Sequence, residues 1–203
     1  MGKVLDSNEM MKFLPESGQI LNTLRNHLIS ALGLDRAKGF LLRYGWDCGN
    51  NFSNHLRRKD AYHTLTLKEL FIAGSHMHGI TADLGISVKE LYIDPVTKDY
   101  YSEGYWKHSQ EAEHHIATFG LSSDPVCFTL IGFAGGYVSN HLGRKVIFKE
   151  VECEGKGDPH CHWIAKPVLG LGRRNRKRAA LLGKFRTRAR QSFYKDRKAE
   201  RNV

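Results

Sequence analysis

Apolar side chains recur at helical spacing along the first third of the chain. Residues 8–34 carry them at three- and four-residue steps, which predicts a first helix, and Gly33 near its end is suited to cap the C-terminus of that helix. A second helix is predicted from Asp35 onward, over DRAKGFLLRYGWDCGNNFSNHL. Thr66 and Glu69 form a capping box before LFIAGSHMHGI, which predicts a third helix over 66–81.

The period of the pattern changes after residue 84. GISVKELYI alternates and is β-branched, DPVTKD is a turn, and YYSEGYW is the next strand. A short helix follows over 109–119, and another is predicted from Pro125 to about His141, before Gly143. KVIFKEVE and CHWIA form a second hairpin around the turn GKGDP. This order predicts an α+β fold, with helices packed against an antiparallel sheet.

The helix predicted from Pro125 is unusually rich in small residues. Small side chains lower helix propensity, so their number indicates that another element packs very close to this backbone. The residues concerned are Gly132, Ala134, Gly135, Gly136 and Ser139.

Charge divides the chain into two parts. The formal net charge is +10, yet residues 170–203 alone hold thirteen Lys or Arg against two Asp or Glu. The remaining 169 residues are close to neutral, so we interpret 1–169 as the folded domain and 170–203 as a basic linker or tail. Phe185, Phe193 and Tyr194 are interspersed in this tail, which leaves nucleic-acid binding through it as an alternative.

Several function classes are disfavoured by what the sequence does not contain. No run of about 18 apolar residues is present, and the N-terminus has no apolar segment before a cleavage site. We therefore expect a cytoplasmic protein that does not enter a membrane. Neither a GxxxxGK[ST] phosphate loop nor a convincing nucleophile–base pair occurs, so we do not expect an enzyme.

The segment KEVECEGKGDPHCHW, residues 149–163, contains metal-ligand chemistry. With Cys127, its residues Glu150, Cys153 and Cys161 supply three thiols and one carboxylate, the number that a closed tetrahedral zinc site needs. A closed site has no open position for water and favours a structural role. Glu150 and Cys153 are an odd number of residues apart, so both can face one site only if the strand bulges near Glu152. The start of a helix at Cys127 is expected to favour its thiolate.

Two alternatives to that metal site remain open on spacing alone. The three cysteines could be buried thiols that act as small apolar side chains, and His160 and His162 could also bind a metal. Cys48 has no assigned role.

Three stretches carry a resemblance to a known family: WKHSQEAEHHIATFG, PVCFTLIGFAGGYVS and EVECEGKGDPHC. Together they resemble the sensor domain of phenol-, toluene- and xylene-responsive sigma-54-dependent activators, which ends in a 4-vinyl reductase-type domain. The resemblance is strong over 100–167 and weaker over 35–100, and it does not cover the tail. It implies a structural Zn²⁺, and the ligands it implies are Cys127, Glu150, Cys153 and Cys161.

The resemblance also implies a ligand pocket. It implies that His78 and Trp106 hold a phenolic hydroxyl, and that aromatic side chains surround the ring. The ring-lining residues it implies are Phe71, Tyr137, Phe148 and Trp163. Phe133 and Phe148 stand where tyrosine is common in that family, which makes this pocket less polar.

Partners follow from the same resemblance. It implies a homodimer formed through the sensor and a downstream ATPase or other regulatory partner. We expect the apolar face of the N-terminal helix, within residues 1–34, to form the dimer contact. A competing hypothesis, drawn from the 4-vinyl reductase name, is a tetrapyrrole- or hydrocarbon-handling accessory protein or enzyme.

Overall fold

The computed structural model describes residues 17–81 and 84–168, without the side chains of 17–19, 61 and 76–81. Part of the predicted helix 8–34 and the whole basic tail lie outside these residues. Within them, no helix is long and apolar enough to cross a membrane.

Five α-helices, two short 3-10 helices (Asp60–Tyr62 and Glu154–Lys156) and four strands make up the described fold. The helices are α1 (Ser17–Leu32), α2 (Leu34–Leu56), α3 (Leu67–Thr81), α4 (Gln110–Phe119) and α5 (Phe128–Leu142). The strands are β1 (Gly85–Ile93), β2 (Tyr100–Lys107), β3 (Val146–Glu152) and β4 (Cys161–Pro167). The prediction of an α+β fold with an antiparallel sheet is confirmed.

Helix boundaries follow the signals in the sequence in most places. Gly33, with φ of 76°, separates α1 from α2, and Gly143, with φ of 68°, ends α5. The capping box is formed: the backbone N–H of Thr66 donates to Glu69 Oε2 at 2.8 Å, and the N–H of Glu69 donates to Thr66 Oγ1 at 3.3 Å.

The predicted start of α5 at Pro125 is wrong, because the helix begins three residues later, at Phe128. The preceding backbone is bonded to distant parts of the chain. The carbonyl of Val126 accepts a hydrogen bond from Arg25 Nη2 at 3.1 Å, and its N–H donates to Cys153 Sγ at 3.5 Å. These tertiary bonds replace the helical hydrogen bonds that local propensity would favour.

The four strands form one antiparallel sheet in the order β1-β2-β4-β3. One face of β2 is buried, because alternate residues of a strand point to the same side and every second residue from Tyr100 to Trp106 is buried. Across the sheet, Gly104 pairs with Trp163 and Phe148 pairs with Ala165. The buried aromatic side chains of β2, β3 and β4 therefore share one face.

The backbones of α2 and α5 pack directly against each other, as the small residues of α5 predict. Gly45 and Gly49 of α2 lie against α5, and Gly132 and Gly136 of α5 lie against α2. A methyl group built on any of the four would overlap a carbonyl oxygen of the other helix. Glycine is therefore needed at these positions for the two helices to approach this closely.

Candidate functional site

Three segments bring four potential metal ligands together at one end of the sheet. Cys127 immediately precedes α5, Glu150 lies in β3, Cys153 follows β3, and Cys161 begins β4. All four are buried, and their ligand atoms lie within 4.8 Å of one another. The residues that the sequence suggested as one set thus form a single cluster. His160 and His162 do not belong to it and instead contact Glu152 and Glu103 on the neighbouring strands.

A bulge in β3 makes this arrangement possible. The pairing of β3 with β4 shifts register between Glu150 and Glu152, so that the strand gains a residue relative to its partner. The bulge predicted near Glu152 is confirmed. It removes the strict alternation that would otherwise send Glu150 and Cys153 to opposite faces of the sheet.

The sulfur positions match the geometry of a tetrahedral thiolate site. The three Sγ–Sγ distances are 3.8 Å between Cys127 and Cys153, 3.7 Å between Cys127 and Cys161, and 3.9 Å between Cys153 and Cys161. Tetrahedral zinc with Zn–S bonds of about 2.3 Å requires sulfur atoms about 3.8 Å apart. The donor set and its spacing therefore fit a zinc ion.

Burial and backbone donors determine the electrostatics of the cluster. Burial raises the pKa of Glu150 to about 8, and Glu150 Oε1 has no hydrogen-bond partner among the described residues. Two backbone N–H groups donate to sulfur, from Val126 to Cys153 at 3.5 Å and from Glu154 to Cys161 at 3.4 Å. Such bonds support negative charge on thiolates. A buried carboxylate oxygen without a protein partner fits a ligand to a cation.

The surroundings act differently on the three thiols of the cluster. Burial raises the pKa of Cys127, despite its place at the start of α5. Hydrogen bonds from the Cys127 and Cys161 thiols lower the pKa of Cys153, and backbone N–H groups lower it further. At Cys127, burial therefore opposes the effect of the helix terminus.

A cavity of about 360 Å³ lies between α3, α5 and the buried face of the sheet. Its wall is formed largely by aromatic and aliphatic side chains. Five of the six residues expected in a ligand pocket line it: Phe71, Trp106, Tyr137, Phe148 and Trp163. The sixth, His78, belongs to α3, but its side chain lies outside the described residues. Phe133, the second position noted for replacing tyrosine, lines the same cavity.

Aromatic contacts hold the walls of this cavity in place. The rings of Trp106 and Trp163 lie 6.0 Å apart between centroids, and those of Phe148 and Trp163 lie 5.3 Å apart. Phe71 packs edge-on against Tyr100 at 5.4 Å, and Tyr137 donates its hydroxyl proton to the carbonyl of Leu70. The cavity is therefore lined by side chains with fixed neighbours and offers flat apolar surfaces to a ring.

Two polar residues of this cavity were missed by the sequence reasoning. Tyr100 and Ser102 line it, and their hydroxyl oxygens are 2.7 Å apart. The period-two pattern of β2 could have identified them, because it places them on the same face as Trp106.

A buried ion pair connects α1 to α4, and its carboxylate also binds the start of α5. Arg25 Nε lies 3.5 Å from Glu111 Oε1, and both side chains are almost fully buried. The two carboxylate oxygens of Glu111 accept hydrogen bonds from the backbone N–H groups of Thr129 and Leu130. Sequence reasoning missed this pair too, because an arginine in an amphipathic helix is usually a surface residue.

Comparison with known proteins gives consistent matches for most of the chain. Residues 6–94 match the family described as activator of aromatic catabolism, and residues 106–167 match the V4R domain. The phenol regulator MopR of Acinetobacter guillouiae is 38% identical over 155 residues, which is 73% of this chain and 26% of MopR. The transcriptional regulatory protein XylR of Pseudomonas putida is 34% identical over 154 residues, which is 75% of this chain and 26% of XylR. This chain thus spans about a quarter of the length of these two relatives.

A solved structure shows the same fold. The crystal structure of the phenol-responsive sensory domain of the transcription activator PoxR, solved with phenol, superposes with a TM-score of 0.69 at 29% identity. The match covers 74% of each chain.

Proposed function

The chain belongs to the aromatic-sensing N-terminal domains of sigma-54-dependent activators, and on that premise we propose that it binds a small aromatic compound in the cavity beneath α3. The observation that carries this proposal is the cavity itself, closed on several sides by the rings of Phe71, Trp106, Tyr137, Phe148 and Trp163. Trp106 is 1% exposed and Trp163 is 4% exposed, so these walls are part of the core. The bound state of such a sensor would be relayed to the control of transcription.

The binding free energy expected for a ring in this cavity fits a sensor of dissolved aromatic compounds. Burial of a phenyl-sized ring contributes a few kcal/mol at about 25 cal/mol per Å², and one or two hydrogen bonds add about 1 kcal/mol each. The entropy lost on association offsets part of this gain, which leaves an affinity near the micromolar range. In this proposal His78 and Trp106 contact the polar substituent of the ring.

Calorimetry on the full chain with phenol and toluene tests this assignment. We expect His78→Ala to weaken phenol binding about tenfold or more and toluene binding much less, because only phenol has a hydroxyl that needs a partner. His63→Ala, at an exposed position that does not line the cavity, is the control and should bind both compounds like the wild type.

Equal losses for both compounds would show that His78 packs against the ring without recognising the hydroxyl. A wild-type chain that binds neither compound would exclude the sensor function.

We further propose that Cys127, Glu150, Cys153 and Cys161 hold one structural zinc ion. The support is the buried donor set, the sulfur spacing and the unpartnered Glu150 oxygen. The ion would tie the start of α5 to the β3–β4 hairpin, and its binding would contribute directly to folding.

Metal analysis tests the zinc proposal. The purified chain should hold about one zinc per molecule, and Cys153→Ser and Cys161→Ser should lose the metal and fold poorly. Cys48→Ser is the matched control, because Cys48 lies outside the cluster, and it should keep its zinc. A well-folded wild-type chain that contains no zinc would refute the proposal.

The partners remain predictions that follow from the proposed function. A homodimer is expected, and α1 exposes apolar side chains on its described surface, among them Ile20 and Leu24. A downstream ATPase is the expected recipient of the signal, in this chain or another. We propose no catalytic activity for the sensor.

A further inference from the structure

The ligand cavity contains a second set of polar groups, away from Trp106. Tyr100, Ser102 and Trp106 lie on the same buried face of β2 and line the cavity together. Ser102 and Trp106 are four residues apart, which corresponds to about 13 Å along a strand. The two positions therefore lie toward opposite ends of the cavity.

The hydroxyl groups of Tyr100 and Ser102 leave one proton without a described partner. Their oxygens are 2.7 Å apart and either group can donate to the other, so their mutual bond uses one of two protons. Both residues are buried, at 6% and 1% exposure, and burial keeps the pKa of Tyr100 well above its ordinary value. The pair thus stays neutral and can donate one further hydrogen bond.

Trp163 adds another unpartnered donor to the cavity. Its indole Nε1 is buried and has no hydrogen-bond partner among the described residues. Trp163 pairs across the sheet with Gly104, which lies between Ser102 and Trp106 on β2. A Cβ atom at Gly104 would lie 2.5 Å from Trp163 Cζ2, so glycine is what allows the indole to occupy this place. A buried indole N–H can only donate, and leaving it unpaired is costly.

The volume of the cavity leaves room for a larger ligand than phenol. At roughly 30 Å³ for each molecule of liquid water, 360 Å³ corresponds to about twelve waters. That is more than one ring with a single small substituent occupies.

From these observations we propose that Tyr100, Ser102 and Trp163 bind an oxygen acceptor on the ring position opposite the phenolic hydroxyl. The preferred ligands are then para-oxygenated phenols, with an ether, hydroxyl or carbonyl oxygen at that position, over phenol and alkylphenols. The spare hydroxyl proton and the indole N–H both require an acceptor. A para substituent points away from a hydroxyl held near Trp106 and toward the part of the cavity lined by Gly104-facing Trp163 and by Ser102. This inference rests on the proposed function, because it assumes that the ring occupies this cavity.

Calorimetry with 4-methoxyphenol and 4-ethylphenol on the full chain is the direct test. The two compounds have nearly the same shape, and only the first has an acceptor at the second position. We expect the wild type to bind 4-methoxyphenol about two- to tenfold more tightly, the range that one net hydrogen bond gives. Without a donor the buried ether oxygen would be penalised, so equal or tighter binding of 4-ethylphenol overturns the proposal.

Conservative variants identify the donors. Ser102→Ala and Tyr100→Phe should each reduce the preference for 4-methoxyphenol, measured as the ratio of its affinity to that of 4-ethylphenol in the same variant. Ser75→Ala is the matched control: Ser75 lines the cavity, but its hydroxyl donates to the carbonyl of Phe71 at 3.0 Å, so the preference should persist. A preference that survives in both Ser102→Ala and Tyr100→Phe would overturn the assignment of the hydroxyl pair.

The same titrations separate this inference from the proposed function. Binding of phenol without any preference for 4-methoxyphenol would refute the second polar site and leave the sensor function standing. Failure of every phenol to bind would refute both.

Discussion

Replacement of Gly49 by alanine should destabilise the protein through the contact between α2 and α5. A methyl group at this position would overlap the carbonyl oxygen of Phe133 and lie 2.9 Å from the backbone nitrogen of Tyr137. Both obstacles are backbone atoms, so no side chain can rotate away. To restore contacts of about 3.5 Å, the two helices would have to separate by roughly 1 Å.

The expected magnitude follows from two opposing effects. Overpacking of a filled interior costs about 1–3 kcal/mol, and more where the backbone must move. The higher helix propensity of alanine offsets up to about 1 kcal/mol of this cost. We therefore expect Gly49→Ala to lower the free energy of unfolding by about 2 kcal/mol, which corresponds to a decrease of roughly 4–8 °C in Tm for a chain of this size.

Urea unfolding of Gly49→Ala and Gly39→Ala measures the effect with an internal control. Gly39 lies in the same helix, and the nearest atom to a methyl group there is Arg43 Nη1 at 3.7 Å, the end of a flexible side chain. Gly39→Ala should therefore be neutral or stabilising by up to about 1 kcal/mol. If both variants are equally stable, the two backbones do not constrain each other and the reasoning fails.

Two further predictions concern buried charge and pH. Arg25→Met should lower the free energy of unfolding by about 3–5 kcal/mol because it leaves Glu111 buried without its cation. In urea unfolding, Arg25→Met/Glu111→Gln should lower it by clearly less than the sum of the two single variants. Additive effects would show that the pair is not coupled. Burial lowers the pKa of His141 to about 4, below the 6.5 of an unfolded histidine, so the unfolded state binds more protons between these values. As pH falls from 6.5 to 4, the free energy of unfolding of the wild type should therefore decrease by up to about 3 kcal/mol more than that of His141→Gln. If the free energies of unfolding of the two proteins change in parallel with pH, this prediction is contradicted.

Much of the fold could be predicted from local patterns because local chemistry determines it. The capping box at Thr66 and the glycines at 33 and 143 mark helix boundaries through bonds and dihedral angles within a few residues. The odd spacing of Glu150 and Cys153 required a bulge, and the register shift in β3 provides one.

What the sequence did not reveal depends on contacts between distant segments. The start of α5 is displaced to Phe128 by hydrogen bonds between Val126 and both Arg25 and Cys153, which lie 101 and 27 residues from it. The low pKa of Cys153 and the spare donors of Tyr100, Ser102 and Trp163 likewise depend on which groups meet in three dimensions. No spacing rule along the chain contains that information.

The close approach of α2 and α5 has a consequence for how such a protein can diversify. One side of α5 is restricted to glycine by the neighbouring backbone, while its other side supplies Phe133, Tyr137 and Val138 to the cavity. Mutations on the first side would be selected against because the protein would no longer fold. Mutations on the second side would change which ligands are preferred while the protein still folds. Variant libraries for new effectors should therefore randomise the cavity side of this helix and leave its glycine side untouched.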